Sequence, residues 1–108
     1  MSDVPGLPMG KDIPGVTKQV LIGKDDGAAN FAMRRFVIDP GAQTPYHKHD
    51  WEHEVFVVEG KGVLVCAEGE KRLERGNVVF VPGGEMHRFR NAGTEIFSML
   101  CMVPMKGA

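Results

Sequence analysis

The sequence predicts an all-β fold, an antiparallel sandwich or barrel of the jelly-roll type. Glycine and proline are abundant, with 14 Gly and 7 Pro among 108 residues. They divide the chain into strand-sized apolar or alternating segments, whereas helical periodicity is almost absent. Parallel βαβ units are excluded because no segment is available for the crossover helices that they need. The length fits a single domain.

Each predicted strand lies between two turn signals. The predicted strands are residues 17–22, 31–38, 44–49, 54–58, 63–67, 71–74, 78–81, 87–91 and 96–103. The Glu-Gly-Glu segment at 68–70 predicts a hairpin, and residues 50–52 predict a turn. Residues 78–81 are entirely apolar, which predicts burial on both faces. Residues 1–15 are rich in proline and glycine and are expected to form an extended arm, which leaves residues 16–108 as one barrel domain.

Composition excludes several functional classes. The formal net charge is -1 and no basic block is present, so nucleic-acid and membrane-surface partners have no electrostatic support. Apolar segments are too short for a membrane-spanning helix, and the N-terminal segment lacks an apolar signal core. A cytoplasmic location is therefore expected. Cys66 and Cys101 have no CxxC partner, which favours reduced thiols over a disulfide.

The four histidines carry the chemistry. His47, His49 and His53 lie within one short segment, and His87 follows a Pro-Gly-Gly turn. Residues i and i+2 of a strand share a face, so His47 and His49 can bind one ion. A turn at 50–52 would return His53 to the same place. An isolated HxH is more often a pair of surface histidines than a metal site. The sequence around the four histidines decides between these two interpretations.

Two segments resemble the motifs of the cupin family. The segment GAQTPYHKHDWEHEVFVVEG, which begins at Gly41, resembles the first motif, G(X)5HXH(X)3,4E(X)6G. The segment GNVVFVPGGEMHRFRN at 76–91 resembles the second, G(X)5PXG(X)2H(X)3N, in every specified position. The resemblance implies a jelly-roll β-barrel with a metal inside it, and commonly a homodimer.

One position departs from the family pattern. In the first motif the acidic ligand follows HXH by three or four residues and precedes the last Gly by six. Three residues separate His49 from His53 and six separate His53 from Gly60, so a histidine stands where the family has Glu. Glu54 is the alternative ligand, and it would require a bulge in the strand. With His53, the sequence resembles a subset of small cupins that have four-histidine manganese sites.

Four imidazole ligands would carry no charge, which favours a divalent over a trivalent ion. The resemblance implies manganese, whereas ligand chemistry also accommodates Fe, Ni, Zn or Cu. Four protein ligands around an octahedral ion leave two positions open. Such an open site fits a small-molecule substrate or dioxygen rather than a purely structural metal.

Several other residues are candidates for the pocket. Either Arg34 or Arg35 faces inward and could bind an anionic group. Trp51 could cover the ligands or lie in a dimer interface, and Cys101 aligns with a position that lines the barrel in similar cupins, although a buried apolar thiol is its more frequent role. The residues expected to form the core or the pocket wall are Phe36, Phe56, Phe80, Phe97 and Met99.

The predicted function is that of a small-molecule oxidoreductase of the dioxygenase type with a four-histidine metal site. Two alternatives remain at this point. One is a non-catalytic, metal-dependent module that binds a small molecule or anion. The other is a sugar isomerase or epimerase, since the fold supports many chemistries.

Overall fold

The computed structural model describes residues 7–8 and 13–108. Strands form most of this part of the chain, and the two 3-10 helices, Lys24–Asp26 and Met105–Gly107, are short. The strands of the described residues are β1 (Leu7–Pro8), β2 (Val16–Ile22), β3 (Phe31–Ile38), β4 (His53–Glu59), β5 (Lys61–Cys66), β6 (Gly69–Glu74), β7 (Val78–Val81), β8 (His87–Asn91) and β9 (Phe97–Pro104).

These strands form two antiparallel sheets in the part of the chain that is described. The larger sheet has the order β1-β2-β3-β9-β4-β7, and the smaller has the order β6-β5-β8. The non-sequential neighbours, such as β9 between β3 and β4, are the crossovers expected of a jelly roll. The predicted all-β jelly-roll class is confirmed.

The core lies between the two sheets and follows strand alternation. On β3, Ala32, Phe36 and Ile38 are buried, and they alternate with less buried residues because successive side chains point to opposite faces. On β9, Phe97 and Met99 are buried in the same way, as predicted. Arg34 lies on the inward face of β3 with this apolar set and is also buried.

The N-terminal prediction can be followed only in part. Leu7 and Pro8 pair with Thr17 and Lys18 of β2, so this piece of the predicted extended arm adds a strand to the larger sheet. Residues 1–6 and 9–12 lie outside the described residues. No helix in the described ranges is long and apolar enough to cross a membrane.

The predicted strand at 44–49 is wrong. Instead of a continuous ladder, this segment makes only isolated bridges, Gln43 with Arg90 and His47 with His87. Pro45 contributes to the break because it has no N–H to donate. The result is an irregular segment attached to β8 at separate points.

The predicted burial of β7 on both faces is also wrong. Val78 is 76% exposed and Phe80 is 58% exposed. β7 is the edge strand of the larger sheet, and among the described residues nothing covers its outward face. Phe56 of β4 pairs with Val78 of β7, and it is 40% exposed for the same reason. Phe56 and Phe80 are therefore neither core nor pocket wall, contrary to the prediction.

Gly60, which ends the first motif, lies where both the backbone conformation and the available space favour glycine. Its φ is +84°, and a Cβ at this position would overlap the carbonyl oxygen of Ile96. Gly76, which begins the second motif, has a similar φ of +90°, but a Cβ there would meet nothing within 4 Å.

We expect Gly60→Ala to lower the free energy of unfolding by about 2–4 kcal/mol, because backbone strain and overpacking add. Gly76→Ala is the matched control and should cost only the strain of a positive φ, about 1 kcal/mol. Chemical denaturation of both variants measures the difference. Equal losses would show that the contact with Ile96 has no energetic role.

Candidate metal centre

The four histidines come from three parts of the fold and meet inside one end of the barrel. His47 and His49 lie in the irregular segment before β4, His53 is the first residue of β4, and His87 is the first residue of β8. The His47 ring centroid is 4.3 Å from that of His49 and 5.1 Å from that of His87. The His53 ring centroid is 5.1 Å from that of His49 and 5.2 Å from that of His87.

Three of these histidines form a compact set of donors. Ring nitrogens of His47, His49 and His87 all lie within 4.8 Å of one another, so these residues can bind a metal ion. His53 lies outside this tightest set, although its ring adjoins two of the three. Its Nε2 atom is buried and has no hydrogen-bond partner among the described residues. A buried nitrogen without a partner is costly, and a metal would supply one, so the side chains present fit a metal ion.

Ring orientation is set by partners at the other nitrogen. Nδ1 of His87 lies 2.9 Å from the carbonyl oxygen of Glu85, which places the proton on Nδ1 and leaves the Nε2 lone pair free. Nδ1 of His53 lies 3.1 Å from Sγ of Cys101. Hydrogen bonds of this kind fix the tautomer and direction of a metal-binding imidazole.

The environment favours the neutral form of three of the rings. Burial, as the largest cause, together with the nearby His87 and Arg34 lowers the pKa of His53 from its ordinary value to about 3. Burial also lowers the pKa of His47 and of His49, with smaller effects from neighbouring histidines. A neutral imidazole keeps the lone pair that a metal requires.

The structure places His53, and not Glu54, beside the other histidines. His53 is buried, whereas Glu54 is exposed and lies between Phe80 and Met102 on the outward face of the larger sheet. Since consecutive residues of a strand point to opposite faces, only one of the pair can face the cluster.

The two candidate arginines separate in the same way. Arg34 faces the interior, where Nη2 donates to Sγ of Cys101 at 3.2 Å and the guanidinium lies 5.0 Å from the ring centroid of Phe36. Arg35 faces outward, donates to Oγ of Ser98 at 2.8 Å, and pairs with Glu59 at 3.2 Å. Arg34 thus faces the barrel interior, and Arg35 does not.

Trp51 stacks on one of the histidines. Its ring lies 4.6 Å from that of His49 with an interplanar angle of 3°. Gly107 packs so closely on the indole that an added Cβ would lie 2.6 Å from Cε2. The indole of Trp51 therefore contacts both the C-terminal 3-10 helix and His49.

Cys101 differs from the buried apolar thiol that is the more frequent role. Like Cys66, it is buried and forms no disulfide. Unlike an apolar thiol, its sulfur contacts two polar side chains, Arg34 and His53. Burial raises the pKa of the Cys101 thiol, and the nearby Arg34 opposes this increase.

Lys18 is a half-buried residue on the inward face of β2 that the sequence analysis missed. It pairs with buried Phe36 across β2 and β3, and directly opposed residues share a face. Burial lowers the pKa of Lys18, and Arg34 lowers it further. A lysine on a short strand ordinarily indicates a solvated face. The one contrary signal in the sequence is Val16, an apolar residue two positions earlier that shares a strand face with Lys18.

Comparison with known proteins agrees with this geometry. The family profile described as "Cupin domain" matches residues 34–103. The chain belongs to the cupin family. The match includes both motifs and all four histidines, and it begins at Arg34.

Two named relatives of this cupin are bacterial proteins. It is 28% identical over 88 residues to the 1-methylthio-D-xylulose 5-phosphate methylsulfurylase of Rhodospirillum rubrum, covering 82% of this chain and 55% of that protein. It is 30% identical over 80 residues to the tetracenomycin polyketide synthase protein TcmJ of Streptomyces glaucescens, covering 73% and 54%. The chain spans about half the length of these curated relatives.

A solved structure is similar over almost the whole chain. The polyketide cyclase RemF from Streptomyces resistomycificus superposes with a TM-score of 0.88 and is 31% identical. The alignment covers 95% of this chain and 75% of that one.

We expect His53→Ala to weaken metal binding by at least about tenfold, because it removes a nitrogen that faces the other ligands. Glu54→Ala is the matched control and should change the affinity by less than about twofold, because the carboxylate faces outward. Competition with a chelator, followed by elemental analysis of the dialysed protein, measures both. Metal loss in Glu54→Ala with retention in His53→Ala would contradict the assignment.

Proposed function

We propose that this cupin is a metal-dependent enzyme for a small molecule that binds a divalent ion through two oxygen atoms. His47, His49, His53 and His87 would hold the ion. The observation that carries the proposal is the meeting of the four rings, with a buried and unpartnered Nε2 on His53. Manganese is the proposed ion on the strength of the resemblance, and iron and zinc suit the same imidazole donors.

When bound, the ion would supply Lewis-acid polarisation of carbonyl oxygens and a coordination position for dioxygen. The protein supplies the surroundings. Glu85 and Cys101 orient the rings of His87 and His53, and Trp51 supports His49. Phe36 and Met99 give the interior apolar walls that exclude water, and the guanidinium of Arg34 can stabilise negative charge on the substrate.

The proposed substrates are 1,3-dicarbonyl compounds, which present two oxygens at the spacing of a chelate. The similarity to RemF and TcmJ supports this class, because polyketide chains consist of such units. The proposed reaction is oxidative, of the dioxygenase type. The four neutral histidine ligands would favour the divalent state of the ion that they hold.

Heptane-2,4-dione tests this reaction. We expect the manganese- or iron-loaded protein to consume one dioxygen per diketone and to release one carboxylic acid and one 2-oxoaldehyde. His87→Ala should lower the rate at least about a hundredfold, and Glu54→Ala should retain it. An oxygen electrode and mass spectrometry of the products give the readout. Binding of the diketone without turnover would instead support a non-catalytic binding module.

Ring closure is the second candidate reaction, and the similarity to a polyketide cyclase favours it. Under anaerobic conditions, heptane-2,4,6-trione would close to orcinol with loss of one water. Orcinol formed by the wild type at the same rate with and without dioxygen would replace the oxidative proposal by this one.

We also propose that the protein is a homodimer that pairs through the outward face of the larger sheet. This face carries a row of partly exposed apolar side chains, and contiguous apolar surface of this kind marks an interaction site. Its members are Ile22, Phe31, Met33, Phe56, Val78, Phe80, Leu100 and Met102. A cytoplasmic location remains a prediction from the sequence.

We expect Phe80→Asp to convert the dimer to a monomer, because it would bury a charge in an apolar interface. Ile96→Asp is the control, since Ile96 is 45% exposed but belongs to none of the strands of this sheet. Light scattering after gel filtration measures the mass. A wild-type monomer at every concentration, or a Phe80→Asp dimer, would contradict the proposal.

A further inference from the structure

Two cations share the barrel interior beside the metal centre without a carboxylate partner among the described residues. Arg34 is only 7% exposed, and Lys18 lies diagonally from it across β2 and β3 on the same face. Diagonal neighbours of this kind are about 7–8 Å apart at the backbone, within reach of long side chains. Within residues 13–108, the ion pairs join Arg35 to Glu59, Arg90 to Glu70, and Lys106 to Asp50, and include neither of these two cations.

Arg34 also has unused hydrogen-bonding capacity. Of its five N–H donors, one contacts Sγ of Cys101 at 3.2 Å and another lies 3.5 Å from the carbonyl oxygen of Gly107. Nε is buried and has no partner among the described residues. The guanidinium also stacks on the ring of Phe36. This contact fixes the direction in which the N–H groups without a partner point.

The two cations influence each other. Burial and Arg34 both lower the pKa of Lys18, which means that the positive charges repel each other where water screens them poorly. Arg34 is buried and Lys18 is half-buried, and such a pair of like charges is unfavourable by itself. An anion placed between them would remove the repulsion and satisfy the unused donors.

The position of this pair relative to the histidines is defined by one thiol. Sγ of Cys101 lies 3.1 Å from Nδ1 of His53 and 3.2 Å from Nη2 of Arg34. Arg34 and His53 therefore adjoin the same sulfur, which places the guanidinium next to the four histidines.

We propose that Lys18 and Arg34 form an anion-binding subsite, so that the substrate is a 1,3-dicarbonyl compound that also carries a carboxylate. The inference rests on the proposed function for the chelating part of the ligand. The two cations would bind the carboxylate, Arg34 through paired N–H donors and Lys18 as a point charge. The subsite selects among dicarbonyl compounds and fixes which end points towards β2.

A matched pair of probes tests the subsite. The two compounds are 4,6-dioxoheptanoate and heptane-2,4-dione, which share the chelating group and differ in the terminal carboxylate. Calorimetric titration of the zinc-loaded protein avoids redox chemistry. We expect the wild type to bind the carboxylate at least about tenfold more tightly than the neutral compound.

The variants assign the preference to residues. Lys18→Met and Arg34→Met should each remove most of the preference, measured within each variant as the ratio of its affinities for the two compounds. Arg34→Lys should restore part of it, because the charge returns without the planar donors. Arg35→Met is the control and should keep the full preference, because Arg35 faces outward. Equal affinity of the wild type for both probes, or a full preference in Lys18→Met and Arg34→Met, would overturn the proposal.

Failure of the proposed function gives a different result. If the protein retains zinc but heptane-2,4-dione does not bind, the chelation proposal fails, and 4,6-dioxoheptanoate alone still reports on the subsite. If neither diketone binds, thermal unfolding of the metal-free protein with propionate decides. Stabilisation of the wild type but not of Lys18→Met supports the subsite, and no stabilisation of either contradicts it.

Discussion

Two reciprocal backbone hydrogen bonds join the parts of the site. The His47 amide donates to the carbonyl of His87 at 3.1 Å, and the His87 amide donates to the carbonyl of His47 at 2.9 Å. They attach the irregular segment before β4 to the start of β8, so that histidines from the two motifs face each other. Two isolated bridges, this one and that of Gln43 with Arg90, are found where the sequence predicted a strand at 44–49. The flanking chain is left free to turn, and it presents His49 to the same centre.

Strand parity selects the remaining residues. On β4 the inward position falls on His53 and the outward one on Glu54, and on β3 it falls on Arg34 and excludes Arg35. Cys101 lies opposite both strands, paired with Arg34 and with Val55, and its sulfur therefore contacts both the histidine and the arginine. Chemistry at this end of the barrel thus depends on register, since a slip of one residue would exchange every inward group for its outward neighbour.

The sequence predicted the parts of this architecture that depend on local spacing. Turn signals and alternation gave most strand positions, and motif spacing gave the four histidines whose rings lie together. It failed where burial depends on which strands become neighbours: β7 is apolar throughout, yet it is an edge strand with Phe80 exposed. Lys18 was missed for the same reason, because only its pairing with Phe36 reveals that it faces inward. Choosing between Arg34 and Arg35 also required the register.

Anomalous diffraction from crystals of the native protein, recorded at the absorption edges of the candidate metals, tests the central claim most directly. The account predicts one peak inside the barrel, within about 2.0–2.3 Å of a ring nitrogen from each of His47, His49, His53 and His87. A barrel without such a peak in protein purified with its metal, or a metal held by the other three while His53 Nε2 binds something else, would contradict it.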